Sequence, residues 1–346
     1  MQTVFGGIGD STWDVAWAAP GPAAGPGVYR YHGFRMDLAA PRCRVELPAL
    51  IATLVIVFAG EIGAGAWGRR AGSGGLRPFR VLLCGPQTRP HVGRHSGHLA
   101  GIDVTMAPWA AYALFGIPMN EIADRAVDLM ARAGSFGAAA DASADADPGA
   151  GRPYPALAAR LAAARDWRAR FDAMDEFLAA LRAAGSEPAP QVVRATELLS
   201  RSGGTMSIAS LAESAGWDPR RLRRAFLAQI GVRPKMAARI VRLQRALRLL
   251  GSGLPIARVA QECSYFDQAH LTNDISEMTG RSPRRLLAER AAMPPGPPNA
   301  DRLPGELTSI VIDPATALGV RVGFLQDGAP AIHQGELRLE TDHARG

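Results

Sequence analysis

The chain has 346 residues, of which 47% are hydrophobic, and a formal net charge of +7. This length predicts about two domains with enough apolar residues for real cores. The longest apolar run, residues 48–59, is shorter than the roughly 20 residues of a membrane-spanning helix, and three dispersed cysteines give no disulfide framework.

The sequence of the N-terminal part predicts a mixed, partly β domain that ends in a helical tail. Residues 1–27 are rich in Gly, Pro and Ala, and we expect them to be loosely ordered. Apolar and β-branched runs at 45–59 and 80–84 predict strands. Helical spacing of apolar residues begins near Pro118, and residues 155–184 predict a long helical stretch. The tract GSEPAP (185–190) that follows indicates a linker. We therefore place the end of this domain at residue 185.

The positive charge of the chain is concentrated in one segment of domain size. Residues 191–290 contain 17 Lys and Arg against 8 Asp and Glu, whereas the rest of the chain contains 22 against 24. Such an asymmetry indicates a module that binds a polyanion, attached to a domain with another task.

An internal repeat lies inside this basic segment. Residues 207–234 read SIASLAESAGWDPRRLRRAFLAQIGVRP, and residues 255–283 read PIARVAQECSYFDQAHLTNDISEMTGRSP. The copies match at an offset of 48, which becomes 49 after the inserted Phe266. Each copy has a short apolar helix, an Asp that caps a second helix and a Gly that ends it. This pattern predicts two helix-turn-helix units, with the apolar stripe of residues 235–250 as a connecting helix.

The outward faces of the two second helices predict different contacts with DNA. Four arginines on the first suit phosphates and guanine edges, and polar groups on the second suit adenine or phosphate. The predicted DNA-binding residues are Arg220, Arg221, Arg223, Arg224, Gln268, His270, Thr272 and Asn273.

Residues 191–290 resemble the DNA-binding domain of the AraC/XylS family of bacterial regulators. The resemblance rests on the first unit, on RIVRLQRALRLL (239–250), on IARVAQECSYFDQAHLTNDI (256–275) and on TGRSPRRL (279–286). It implies a seven-helix domain that binds double-stranded DNA in two adjacent major grooves. Asn273 and Ile275 depart from the Arg and the aromatic residue that family members often carry, which affects the contacts of the second unit.

The whole chain is therefore expected to be of the α+β class. A mixed, partly β sensory or dimerisation domain (1–185) precedes an all-α double helix-turn-helix domain (186–291) and an extension of unknown role (292–346). The sequence APWAAYALFGIPMNEIADRAVDL (107–129) gives the N-terminal part a looser likeness to the sensory domains of these regulators. The resemblance implies a cytoplasmic, sequence-specific transcription regulator that responds to a small-molecule effector.

Other interpretations of the N-terminal domain and its polar residues remain open. The N-terminal domain could serve only homodimerisation or protein contact, or it could be an enzyme that uses Cys43 or Cys84. His91, His95 and His98 have a spacing that could bind zinc on a helix, but the neighbouring Pro and Gly favour a loop. Ser96, near His95 and Asp103, lacks the turn of a catalytic nucleophile. We expect no catalytic residue, no metal, no cofactor and no membrane partner.

Overall fold

The N-terminal domain consists of two antiparallel β-sheets. The computed structural model describes residues 1–66, 77–131, 153–294, 296–298 and 301–312. Among these residues, seven strands form the first sheet in the order β1-β2-β3-β10-β5-β8-β11. Their bounds are Gln2–Ile8 (β1), Ser11–Ala18 (β2), Val28–Asp37 (β3), Ala52–Gly60 (β5), Val81–Cys84 (β8), His98–Met106 (β10) and Ala126–Asp128 (β11).

The second sheet has five strands in the described residues, in the order β12-β4-β9-β6-β7. Their bounds are Arg42–Glu46 (β4), Ile62–Ala66 (β6), Arg77–Phe79 (β7), His91–His95 (β9) and Ser309–Ile312 (β12). The edge strand β12 comes from beyond the DNA-binding segment and pairs with β4, with Ile310 opposite Val45. The chain therefore returns to its N-terminal domain, and residues 313–346 of the predicted extension lie outside the described residues.

Two expectations for the N-terminal domain are wrong. Residues 1–27 are not loosely ordered, because β1 and β2 form a hairpin whose Gly9 has a φ of +55°. The helix expected near Pro118 is only the four-residue Met119–Ile122, and the chain then becomes strand β11. Asp124 ends the helical run because its carboxylate accepts hydrogen bonds from the backbone N–H (2.7 Å) and the hydroxyl (2.6 Å) of Thr88. This tertiary contact overrides the local helical spacing.

The apolar run expected as a strand is divided in the structure. Strand β4 ends at Glu46 and β5 begins at Ala52, in the other sheet. Pro48 lies between them and has no backbone N–H to donate to a strand ladder, so the chain leaves one sheet there and enters the next.

Four helices precede the basic segment in the described residues, with bounds Pro108–Phe115 (α1), Met119–Ile122 (α2), Pro153–Ala163 (α3) and Trp167–Ala184 (α4). The predicted helical tail is thus two helices. Asp166 starts the second one, because its side chain accepts a hydrogen bond from Ala169 N at 2.8 Å. Helix α4 is bonded to the first sheet through Trp167 Nε1, which donates to Asp14, and through Tyr31, whose hydroxyl donates to Asp175.

Seven helices follow within the continuously described residues 153–294, as the resemblance implies. Their bounds are Pro190–Arg201 (α5), Ile208–Ser214 (α6), Pro219–Ile230 (α7), Pro234–Gly251 (α8), Ile256–Glu262 (α9), Gln268–Thr279 (α10) and Pro283–Ala291 (α11). The fold class is confirmed: a β-rich N-terminal part precedes a helical double helix-turn-helix region. No helix of the described residues is long and apolar enough to cross a bilayer.

Two separate apolar cores hold the helical region against the N-terminal domain. The first joins Phe226 and Ile230 of α7 to the buried side chains of Trp109 and Ile122. The second joins Val45 of β4 to residues of α8, α10 and β12, including Ile275 and Ile310. Each helix-turn-helix unit is therefore attached to the N-terminal domain through a different core.

We expect Ile310→Ala to destabilise the fold by about 2–5 kcal/mol, because the side chain is fully buried in the second core. Chemical denaturation followed by tryptophan fluorescence measures the change. Ile8→Ala, at a site that is 53% exposed, is the control and should change stability by no more than about 0.5 kcal/mol. Equal effects of the two substitutions would show that β12 is no part of the core.

Candidate nucleic-acid interface

The first helix-turn-helix unit consists of α6 and α7. The carboxylate of Asp218 accepts hydrogen bonds from Arg220 N at 2.9 Å and Arg221 N at 3.0 Å, which fixes the start of α7. These backbone donors, that of Arg221 above all, lower the pKa of Asp218. Gly231 ends the helix with a φ of +88°, a conformation that favours glycine. Both predicted capping residues of this unit therefore have their expected places.

Helix α7 has one buried and one basic face. Leu222 and Phe226 are fully buried, whereas all four predicted arginines are exposed. The guanidinium carbon of Arg221 lies 4.6 Å from the ring centroid of Trp217, so the ring limits the positions of this side chain. The helix thus presents four guanidinium groups to solvent: Arg220, Arg221, Arg223 and Arg224.

The second unit, α9 and α10, presents a neutral polar face. Asp267 caps α10 by accepting a hydrogen bond from His270 N at 2.7 Å. The ring of His270 is held at the same turn, since its Nδ1 accepts from Phe266 N at 3.3 Å and it packs edge-on against Tyr265. Gln268, His270 and Asn273 are exposed, and Thr272 is half-buried.

A cluster of charged and polar side chains attaches α10 to the connecting helix α8. Arg239 donates to Asp274 at 2.6 Å and to both carboxylate oxygens of Glu277, and the hydroxyl of Tyr265 donates to Asp274 at 2.7 Å. Asp274 is only 5% exposed. Glu277, which helical geometry places on the outward side, is paired with Arg239 while its side chain remains 68% exposed.

Sequence reasoning missed one feature of this interface. Phe266, the residue inserted in the second repeat, is 92% exposed directly before the capping Asp267. At this exposure the aromatic ring of Phe266 does not pack into the apolar core. The change of offset in the repeat was the available signal for it.

The connecting helix sets the separation of the two units. Helix α8 has 18 residues, which corresponds to about 27 Å along its axis. Successive major grooves on one face of a duplex are roughly 34 Å apart. Two second helices flanking α8 are therefore compatible with adjacent grooves.

A cavity lies between the two sheets of the N-terminal domain, with a volume of about 120 Å³. Apolar side chains of both sheets line it together with buried charged groups. The charged and imidazole side chains in the lining are His32, Arg42, Arg44, Glu46, His95, Asp103 and Arg302.

Ion pairs organise the acidic side of this cavity. Arg302 donates to the two carboxylate oxygens of Glu46 at 3.1 and 3.0 Å, and Arg44 Nε lies 2.8 Å from the same carboxylate. Burial by itself raises the pKa of Glu46, but the guanidinium groups of Arg302 and Arg44 outweigh this and lower it. Burial also raises the pKa of Asp103, but His32 and Arg302 outweigh this and hold the pKa below its ordinary value. Both carboxylates are therefore ionised at neutral pH.

The cavity also contains polar atoms without a partner in the described structure. Nη1 of Arg302 lies 3.9 Å from Asp103 and makes no hydrogen bond, and Nε2 of His32 makes none either. Burial lowers the pKa of His32, and burial together with Arg42 and Arg44 lowers the pKa of His95 to about 4. Both rings are thus neutral at pH 7, and the lining, with three guanidinium groups and two carboxylates, has a net charge of +1.

The structure separates the side chains of the other candidate sites. His91 and His95 lie on β9, where His91 Nε2 is 2.8 Å from the carbonyl oxygen of Asp124, and His98 lies on β10, where it faces Asp37. No group of three metal-ligating side chains occurs among the described residues. Asp103 pairs with His32, on the neighbouring strand, and not with His95.

The two thiols considered for redox or catalytic chemistry are shielded. Burial raises the pKa of Cys43 to about 11 and that of Cys84 to about 12. Each cysteine therefore keeps its proton at neutral pH, where the thiolate is the reactive form.

A match to a known protein family agrees with this geometry. A family model described as a helix-turn-helix domain matches residues 194–289. Among solved structures, the C-terminal domain of AraT, a response regulator from Geobacillus stearothermophilus, has 26% identity, covering 30% of this chain and 89% of that one, with a TM-score of 0.29. ToxT from Vibrio cholerae O395 has 8% identity, covering 81% of this chain and 97% of that one, with a TM-score of 0.39. No curated protein matches the chain.

The matched range coincides with the repeat. It begins in α5, contains both units and the connecting helix, and ends in α11. Residues 194–289 therefore form an AraC-type double helix-turn-helix domain.

Proposed function

We propose that the chain binds a specific DNA site with α7 and α10 in adjacent major grooves, and that a small anion in the N-terminal cavity regulates this binding. The four exposed arginines of α7, opposite a fully buried apolar face, are the observation that supports DNA contact most directly. The domain assignment, with α5–α11 as the DNA-binding part, is the division we propose for this function.

The two units have different roles in this proposal. Arg220, Arg221, Arg223 and Arg224 contact phosphates and guanine edges and supply most of the affinity. In the second unit, the amide of Asn273 reads adenine, while Gln268, His270 and Thr272 contact the sugar–phosphate backbone or neighbouring bases. The exposed ring of Phe266 is placed to pack against a thymine methyl group or a sugar.

We expect Arg224→Ala to weaken DNA binding by about 1–3 kcal/mol and to relax specificity at one base pair, as loss of a bidentate guanine contact would. Gel-shift titration at fixed salt, on a site selected from genomic fragments, measures both effects. Arg168→Ala, which removes an exposed arginine on α4, is the matched control. Unchanged affinity of the Arg224 variant would refute this assignment.

The effector proposed for the cavity is a small carboxylate with an apolar body. The lining combines apolar side chains, such as Val15, Phe34 and Leu99, with a net positive charge and with Nη1 of Arg302, which lies 3.9 Å from Asp103 and makes no hydrogen bond. An apolar cavity of roughly 150 Å³ accommodates benzene. At about 120 Å³ this cavity is somewhat smaller, so benzoate, one aromatic ring with a carboxylate, is at the upper size limit for the ligand.

Benzoate should bind the full-length chain in isothermal titration calorimetry, with at least about tenfold higher affinity than benzyl alcohol, because a charged hydrogen bond contributes roughly 1.5–3 kcal/mol. Arg302→Met should remove this preference, whereas Arg168→Met should retain it. Equal affinities for the two compounds would contradict an anionic effector. Absence of any binding would favour the alternative in which the N-terminal domain serves only self-association or protein contact.

A further inference from the structure

The segment that follows the second helix-turn-helix unit closes the cavity of the N-terminal domain. The described residues between the end of α11 and the end of the edge strand β12, namely 292–294, 296–298 and 301–312, are called the strap. Met293, Pro294, Pro297, Pro298 and Arg302 of the strap line the cavity, as does Val311 of β12. A ligand in this cavity would therefore contact residues that follow directly from the DNA-binding domain.

The strap is bonded to helix α11 through Asp301. The guanidinium of Arg290 pairs with the carboxylate of Asp301 and donates to the carbonyl oxygen of Ser309 at 2.7 Å. The same carboxylate of Asp301 accepts a hydrogen bond from Thr308 N at 3.0 Å, which folds the strap back on itself. The position of α11 is therefore linked to the conformation of the strap.

The strap is also bonded to the cavity lining, through the residue that follows Asp301. Arg302, next to Asp301 in the chain, makes the two-point contact with Glu46 of β4, and its backbone N donates to Thr308 Oγ1 at 2.8 Å. Arg30 of β3 donates to the carbonyl oxygen of Asp301 at 2.8 Å. Two adjacent strap residues thus face opposite ways, one toward the DNA-binding domain and one toward the cavity.

We propose that the strap couples the cavity to α11, the helix that follows the second helix-turn-helix unit and shares its apolar core through Leu286. A carboxylate bound beside Arg302 stabilises the docked strap, and the docked strap fixes α11 through Arg290 and Asp301. The ligand part of this inference rests on the proposed function. Because a coupling free energy is reciprocal, any change that releases the strap from the cavity wall also loosens α11. The first unit is attached through the other core, so the coupling acts on the second unit selectively.

Hydrogen–deuterium exchange of the full-length chain tests the coupling without any ligand. Glu46→Gln removes the carboxylate that neutralises the buried Arg302, at a position remote in sequence from α11. We expect amide exchange in residues 283–291 and 301–312 to become at least about threefold faster, while α5–α7 change by less than about twofold. Unchanged exchange of α11 in this variant, with α5–α7 still protected, would overturn the inference.

Substitutions at the α11 end give a matched pair for the same measurement. Arg290→Gln should accelerate exchange of the strap and α11, and adding Glu46→Gln should then have little further effect on α11. Arg285→Gln is the control, because Arg285 lies on the same helix but pairs with Glu289, which retains Arg281. Additive effects of Glu46→Gln and Arg290→Gln on α11 would mean that the strap does not transmit the change.

A disulfide can hold the strap in its docked position. Ile312 lies directly opposite Cys43 in the β12–β4 ladder, at a separation between paired strands that a disulfide can span. In the Glu46→Gln background, oxidised Ile312→Cys should restore slow exchange to both the strap and α11, and reduction should reverse this. Slow exchange that returns in the strap but not in α11 would contradict the coupling. Wild-type protein treated with the same oxidant controls for effects on the other cysteines.

Benzoate provides the ligand arm of the experiment. It should slow exchange of the strap and of α11 in the wild-type chain, and it should have no effect on α11 in Arg290→Gln. If calorimetry shows no binding of benzoate, the proposed effector class is wrong, whereas the coupling is still decided by the variants above. If benzoate binds and leaves α11 unchanged, the coupling is wrong and the effector site stands.

Discussion

Helices as short as those of a helix-turn-helix unit cannot enclose their own apolar side chains. Helices α6 and α7 have 7 and 12 residues, so the buried faces of Leu222 and Phe226 need a wall from elsewhere. The N-terminal domain and α8 supply this wall for the first unit, and α8, the second sheet and β12 supply it for the second. Both units therefore pack against α8 and against the β-domain, and the second of these contacts provides the route of the coupling proposed above.

The two units bury apolar side chains in the same way but expose different side chains to solvent. The first exposes four guanidinium groups, which in the proposed complex would contact phosphates of any duplex and contribute a salt-dependent affinity. In the second, Arg239 is paired with Asp274 and Glu277, and the exposed face carries neutral donors and acceptors. The proposed roles, affinity from the basic unit and discrimination from the neutral unit, follow from this difference.

The helical half was predictable from sequence because its determinants are local. Asp218, Asp267, Gly231 and Gly280 act within one turn of their own helices, and the repeat marks both units. The N-terminal half was less predictable, because its strands pair across long separations and Asp124 ends a helix through a contact with Thr88. Burial of Arg302 against Glu46 joins positions 256 residues apart, which no local pattern could indicate.

The central claim is that two unequal units occupy two adjacent major grooves. Hydroxyl-radical footprinting of the full-length chain on a selected genomic site tests it most directly. We expect two protected segments on one face of the duplex, centred about 10 base pairs apart, with the stronger protection where the first unit binds. A single protected segment, or two equally protected segments that lie on opposite faces, would contradict it.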